Sequence, residues 1–281
     1  MDGRTVLITG GNAGIGKATA AALAAFGARV VITARDPARG EAAAAGLRQE
    51  TGAAVEWIPL DLASMASVRA AAAEVEARCP RLDVLVNNAG AVLSRRTVTP
   101  DGFETTFAVN YLGPFLFTQL LLGRLEASAP SRIVNLTSSA HYGAIGGLRF
   151  DDLQTSRLYS GMIAYCRAKL AVILWTRELA RRLQGRGVTA NAVHPGMVGT
   201  RFALDGDVRG PVAWFFRYGT RVMKTPEQGA TTSVIVASDP TLETVSGGYF
   251  AEGREARPSR AARDDAVALR LWQVSEALVR P

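Results

Sequence analysis

Cysteine and histidine are scarce: two of each in 281 residues. Cys79 and Cys166 suggest neither a disulfide framework nor a metal site, and with only His141 and His194 beside them a zinc site is not expected. Sparse cysteine suits a reducing, intracellular setting. No apolar run reaches the roughly 18 residues a spanning helix needs. No leader peptide precedes the first apolar segment. Basic residues outnumber acidic ones 32 to 25, for a net charge of +7, yet they form no stripe. That argues against a nucleic-acid surface and for a solvated exterior with local anion binding. Repeats and low-complexity linkers are also missing, so a single domain over residues 1–281 is expected.

What is present is alternation. Residues 5–9 read as a short apolar strand. A glycine loop follows, Gly10-Gly11-Asn12-Ala13-Gly14-Ile15-Gly16, and then an alanine-rich helix over 17–26. Glycines let the backbone approach a pyrophosphate, and a helix N-terminus offers free N–H groups at the positive end of its dipole. A plain glycine turn is the alternative; the flanking strand and helix favour dinucleotide binding. A second strand, 29–34, ends at Ala34, where a site for NAD would carry an acid on the ribose. Arg35 follows, and an arginine pairs with a 2′-phosphate. NADP is therefore the expected cofactor, with Asp36 keeping NAD as the alternative.

A helix over 41–50 and a strand over 55–60 lead to Asp61-Leu62. Asp61 either bonds an adenine amino group or caps the next helix, 67–78. The strand 82–86 runs into Asn87-Asn88-Ala89-Gly90, read as a turn or as a small-residue opening beside a cofactor. Asn110 lies inside a helix over 103–125, where it bonds locally, kinks the helix or holds a water near a site. The strand 132–137 ends at Ser138-Ser139, at the edge where open α/β sheets bind ligands. A long connection, 140–160, precedes a helix carrying Tyr165 and Lys169 one turn apart. A lysine beside a phenol favours the phenolate and lowers its pKa, which makes a proton donor and acceptor for a carbonyl or alcohol. A strand over 188–193 then meets His194-Pro195-Gly196-Met197-Val198-Gly199-Thr200. The expected architecture is α/β, a Rossmann-type doubly wound parallel sheet in a single domain.

In this order the motifs resemble the short-chain dehydrogenase/reductase family over nearly the whole chain. They are Thr9-Gly10 with Gly14-Ile15-Gly16, Asn87-Asn88-Ala89-Gly90, Asn110, Ser138-Ser139, Tyr165 with Lys169, and Pro195-Gly196. Gly14-Ile15-Gly16-Lys17, Ala34-Arg35-Asp36, Ala164-Tyr165-Cys166, Val193-His194-Pro195-Gly196 and Lys224-Thr225-Pro226-Glu227 look like the retinol dehydrogenase-like branch. Membrane-bound members of that branch begin with a hydrophobic anchor that this chain lacks, so a cytoplasmic relative is expected. The resemblance implies hydride transfer between NADP(H) and a carbonyl or alcohol. The implied catalytic residues are Asn110, Ser139, Tyr165 and Lys169, with Ser138 the second choice of serine. It further implies cofactor contacts from Gly10, Asn12, Gly14, Ile15, Gly16, Arg35, Asp61, Leu62, Asn87, Ala89, Gly90, Thr137, Tyr165, Lys169, Pro195, Gly196, Val198 and Thr200. No metal is implied. The rival class is a redox sensor or scaffold that binds NADP(H) without useful turnover. His194 is read as structural. Residues 200–224 hold an aromatic patch around Trp214, read first as a substrate pocket or lid, with an oligomer contact or weak membrane contact as alternatives. The chain is read as a monomer or homo-oligomer.

Overall fold

In the computed structural model, residues 1–198 and 223–280 are described. Their spine is an eight-stranded sheet in the order β3-β2-β1-β4-β5-β6-β7-β8. The strands are β1 (Thr5–Ile8), β2 (Arg29–Ala34), β3 (Val55–Pro59), β4 (Val84–Asn87), β5 (Ser131–Leu136), β6 (Val188–His194), β7 (Tyr249–Ala251) and β8 (Arg254–Glu255). All pairs are parallel except β7 with β8. The chain lays down β1, β2 and β3 in one direction, then returns to place β4 on the other side of β1. That reversal opens a crevice beyond the C-terminal ends of β1 and β4.

Both faces of the sheet are covered, and side-chain alternation along the strands assigns each residue to a face. Val6, Ile8, Val30, Ile32, Val84, Val86 and Val134 pack one core. Their immediate neighbours Leu7, Val31, Leu85 and Ile133 pack the other. On the first face lie α1 (Gly14–Ala25), α2 (Pro37–Thr51) and α7 (Pro226–Ser238). They pack through small residues such as Ala20, Ala24, Ala43, Ala44 and Ala237. On the second lie α3 (Met65–Arg78), α5 (Gly113–Ala127), α6 (Gly161–Arg182) and α8 (Asp265–Leu278). Here Tyr111, Phe115, Trp175 and Trp272 form an aromatic cluster with centroid separations of 5.2–6.1 Å. Each such buried ring contributes ~1.5–3 kcal/mol over exposure.

The expected doubly wound α/β sheet is present. The sequence pattern did not resolve α7, the strands β7 and β8, or α8. The two strands are too short for a period to show. The helix expected over 103–125 is instead a short α4 (Thr105–Phe107), a π-helical turn (Ala108–Leu112) and α5. Asn110 sits in that wide turn.

Candidate active site

The glycine loop is fixed from its base. Thr9 is fully buried beneath it, and its hydroxyl accepts the backbone N–H groups of Asn88 (2.9 Å) and Ala89 (3.0 Å). The Asn88 amide donates to Thr9 O at 2.8 Å. Gly10 (φ 65°) and Gly14 (φ 51°) adopt left-handed backbone that a β-carbon disfavours. A Cβ on Gly16 would overlap the Gly10 carbonyl oxygen and the Asn88 amide. The loop delivers the chain into α1 with Ala13 at the cap position, no side-chain cap and no acid in the first turn. The first N–H groups of α1 are therefore left for an anion at the positive end of the dipole. Small residues flank the opening: Ala89 lies against Gly10, and Gly90 follows it. Asn12 and Ile15 are half-buried on the same loop. These residues fit a dinucleotide pyrophosphate.

Two acidic candidates beyond the loop are already engaged. Asp36 caps α2 by accepting the Arg39 N–H at 2.9 Å, while Arg35 stands exposed beside the end of β2. Asp61 accepts the Ala63 N–H at 2.9 Å in a turn of its own, and Ser64 rather than Asp61 caps α3. Leu62 is buried, its carbonyl against Gly113. The Asn87 side chain does not turn toward the glycine loop. It points into the helical layer, donating to Thr118 Oγ1 (2.9 Å) and Asn135 Oδ1 (2.8 Å). The asparagine that serves the glycine loop is Asn88, its neighbour, because adjacent residues leaving a strand face opposite ways. Asn110 spends both amide protons on the carbonyls of Ala91 (2.6 Å) and Thr106 (2.7 Å) and accepts the Ala91 N–H at 3.3 Å. It ties the backbone beyond Gly90 to the π-helical turn.

The hydroxyl groups gather beyond β5. Thr137 is buried; its hydroxyl donates to Lys169 O at 2.8 Å, fastening the strand end to α6. Lys169 Nζ donates to Leu136 O at 3.0 Å and lies 5.6 Å from the centroid of the Tyr165 ring. Of the two serines, the side chain that bears on the Tyr165 hydroxyl is that of Ser138, where Ser139 is the first expectation. Ser138 is the last extended residue (φ −154°, ψ 155°), and its hydroxyl accepts the Ala140 N–H at 3.2 Å. Ser139 already belongs to the following 3-10 turn (Ser139–Gly143) and is exposed. What separates the two is where β5 ends, which spacing alone does not show.

Burial, not the lysine, sets the ionisation here. Desolvation pushes Tyr165 up to about 12, partly offset by the Ser138 hydrogen bond. The same desolvation brings Lys169 down to about 7. The tyrosine's net shift is therefore upward, against the lowering that a neighbouring ammonium gives. Removing water from both groups disfavours both charged forms, and the two shifts run in opposite directions.

Both histidines brace the serine turn. His194 accepts the Ser139 N–H through Nδ1 at 3.3 Å, and burial brings its pKa down to about 4. His141 touches Ser138 O through Nδ1 at 2.7 Å, and burial lowers it as well. After β6, Pro195 leads to Gly196, whose left-handed backbone (φ 87°) lies against the Lys224 side chain. Lys224 in turn pairs with Glu252 at 2.6 Å. Val198 pairs by its backbone with Lys224 and contacts Gly229. Thr200 and the aromatic patch around Trp214 lie outside the described residues. Among the described residues no cluster suits a metal, and no helix is long and apolar enough to cross a membrane.

Known proteins share this arrangement of sequence and fold. The family profile described as enoyl-(acyl carrier protein) reductase matches residues 10–241. Human retinol dehydrogenase 14 is 46% identical over 300 residues, covering 99% of this chain and 87% of that protein. Human retinol dehydrogenase 13 is 44% identical, covering 99% and 85%. A crystal structure from Mycobacterium paratuberculosis superposes with a TM-score of 0.78 at 34% identity, covering 99% of this chain and 94% of that one. The Pseudomonas aeruginosa RhlG/NADP active-site complex superposes with a TM-score of 0.72 at 29% identity, covering 90% and 96%. The chain belongs to the short-chain dehydrogenase/reductase family of oxidoreductases, in its retinol dehydrogenase-like branch.

Proposed function

We propose that the chain interconverts a lipophilic carbonyl compound and its alcohol, with NADP(H) as redox partner. The observation that carries this reading is the gathering of Ser138, Tyr165 and the buried Lys169 at the C-terminal end of β5. The nicotinamide, when bound, supplies or takes up the hydride. Tyr165 donates its hydroxyl proton to the carbonyl oxygen in reduction and recovers it in oxidation. Its high pKa keeps that proton in place until the oxygen becomes basic. Lys169 in its ammonium form stabilises the phenolate that remains. Ser138 holds the substrate oxygen with a hydroxyl already oriented by the Ala140 N–H. Asn110 fixes the wall beyond Gly90.

Arg35 supports NADP over NAD, since it stands exposed just past the end of β2 while Asp36 is committed to its helix. A lipophilic substrate is supported by apolar side chains left exposed on the segments that carry the site. Tyr142 and Ile145 follow Ser138, Met162 and Ile163 precede Tyr165, and Met197 follows Gly196. Ile145 is 90% exposed. The test is a turnover screen over aldehydes, ketones and alcohols of graded size with NADP(H) and NAD(H) in parallel. Ser138→Ala and Ser139→Ala variants run beside the native chain. Turnover that favours NADP(H) and larger apolar substrates, and that falls with Ser138→Ala but not Ser139→Ala, is expected. Binding of NADPH without oxidation across the panel would instead mark a sensor.

A further inference from the structure

His141 belongs to none of the expected functional residues, yet it is 1% exposed and both ring nitrogens are spent on backbone at the site's edge. Nε2 accepts the Ser259 N–H at 3.1 Å. A peptide N–H only donates, so Nε2 carries no proton. The neutral ring's proton therefore sits on Nδ1 and donates to Ser138 O at 2.7 Å. The peptide N–H of His141 donates to the same carbonyl at 3.1 Å. The ring is held between Tyr142 (centroids 4.1 Å apart) and the edge of Tyr249 (5.3 Å). The Tyr142 hydroxyl adds a second tie to the same C-terminal stretch, donating to Arg257 O at 2.8 Å.

We propose that His141 is a positioning residue, which holds the Ser138 carbonyl and anchors the serine turn to the C-terminal segment at Ser259. It keeps the Ser138 hydroxyl in register with Tyr165 while touching neither substrate nor cofactor. The proposal rests on the reading of Ser138 given above. A histidine that merely fills space would not need a fixed tautomer bridging these two backbone groups.

The experiment compares His141→Leu, His141→Asn and His141→Gln, each alone and in a Ser138→Ala background. The readouts are kcat and KM with the best carbonyl of the screen, NADPH affinity by fluorescence, and melting temperature. Asparagine restores a donor near the Nδ1 position. Glutamine reaches toward Ser259 and leaves the Ser138 carbonyl without its side-chain partner. Leucine is expected to lower kcat at least tenfold with NADPH affinity within twofold of native. Asparagine is expected to recover kcat to within threefold, and glutamine is not. In the Ser138→Ala background the leucine variant is expected to lose nothing further, because the two residues act through one route. Equal losses in both backgrounds overturn the proposal, as does native kcat in the leucine variant. If the leucine variant does not fold, equal kcat for asparagine and glutamine overturns it. Native turnover in Ser138→Ala alone removes the reading of Ser138 and this inference with it. A slow Ser138→Ala beside a fast His141→Leu removes the inference only.

Discussion

The glycine loop and the serine turn sit at the same edge of one sheet and are held by opposite means. The loop keeps its shape through missing side chains: Gly10 and Gly14 take left-handed backbone, and Gly16 lets the Gly10 carbonyl and Asn88 come close. The serine turn keeps its shape through side chains that arrive from elsewhere. His194 comes from the end of β6, Lys169 and Tyr165 from α6, and His141 reaches the C-terminal segment. One region is controlled by volume, the other by hydrogen bonds from distant side chains. Substitutions should therefore fail differently in the two places.

The largest separation is expected at Lys169. Lys169→Met should lower turnover by roughly 10²- to 10⁴-fold, the range for loss of assistance to proton transfer. Folding should respond the other way. The folded-state pKa of Lys169, about 7, lies below its ordinary 10.5, so folding disfavours the protonated form. Between about pH 7 and 10.5 the unfolded chain binds the extra proton, and stability rises with pH across that window. The methionine variant should lack this rise. Melting temperatures of the two proteins from pH 6 to 9.5 check it: a constant difference across that range would show that burial does not govern Lys169.

Gly16→Ala tests the other region. The added methyl overlaps backbone, which costs ~1–3 kcal/mol when a packed site is overfilled. Weaker NADPH binding and a lower melting temperature are expected together, whereas Lys169→Met separates turnover from stability. An alanine variant with native NADPH affinity would show that the loop tolerates displacement and that its glycines serve only the turn.

This contrast explains what the sequence made legible. Glycine spacing is local, and Gly10, Gly14 and Gly16 announce a strand-loop-helix unit without reference to anything distant. Strand alternation likewise assigns Leu7 and Ile8 to opposite cores. The choice between Ser138 and Ser139 is not local. It depends on where β5 ends, which the pairing of Thr137 N with Val193 O decides. Asn87 and Asn88 pose the same problem one strand away, since a single step in register exchanges interior for crevice. The tyrosine's ionisation depends on a further, non-local factor. Sequence shows that a lysine is near, whereas the burial of Lys169 and the half-burial of Tyr165 emerge only when α6 packs against β5.

A smaller effect is expected at Arg35, at the far end of the glycine-loop region. Arg35→Ala should weaken NADPH binding roughly 10- to 150-fold, the value of a charge-assisted hydrogen bond of ~1.5–3 kcal/mol. NADH binding should hardly change. Parallel fluorescence titrations with the two dinucleotides check this, and equal losses for both would place Arg35 on something other than the 2′-phosphate.

The smallest effect concerns acid. Residues 10–16 contain no ionisable side chain, so the loop itself cannot titrate. The serine turn can, because the Ser139 N–H leans on a neutral His194. The folded-state pKa of His194, about 4, lies below its ordinary 6.5. Between these values the unfolded chain binds the extra proton. Stability is therefore full above about pH 6.5 and declines as pH falls toward 4, with no further contribution from this group below that. His194→Asn keeps an acceptor near the Nδ1 position and removes the titration. Its melting temperature should fall less than the native chain's between pH 6.5 and 4, while the two converge in slope above pH 7. If both proteins lose the same number of degrees over that interval, the acid response belongs to groups other than His194, among them the buried His141 of the same turn.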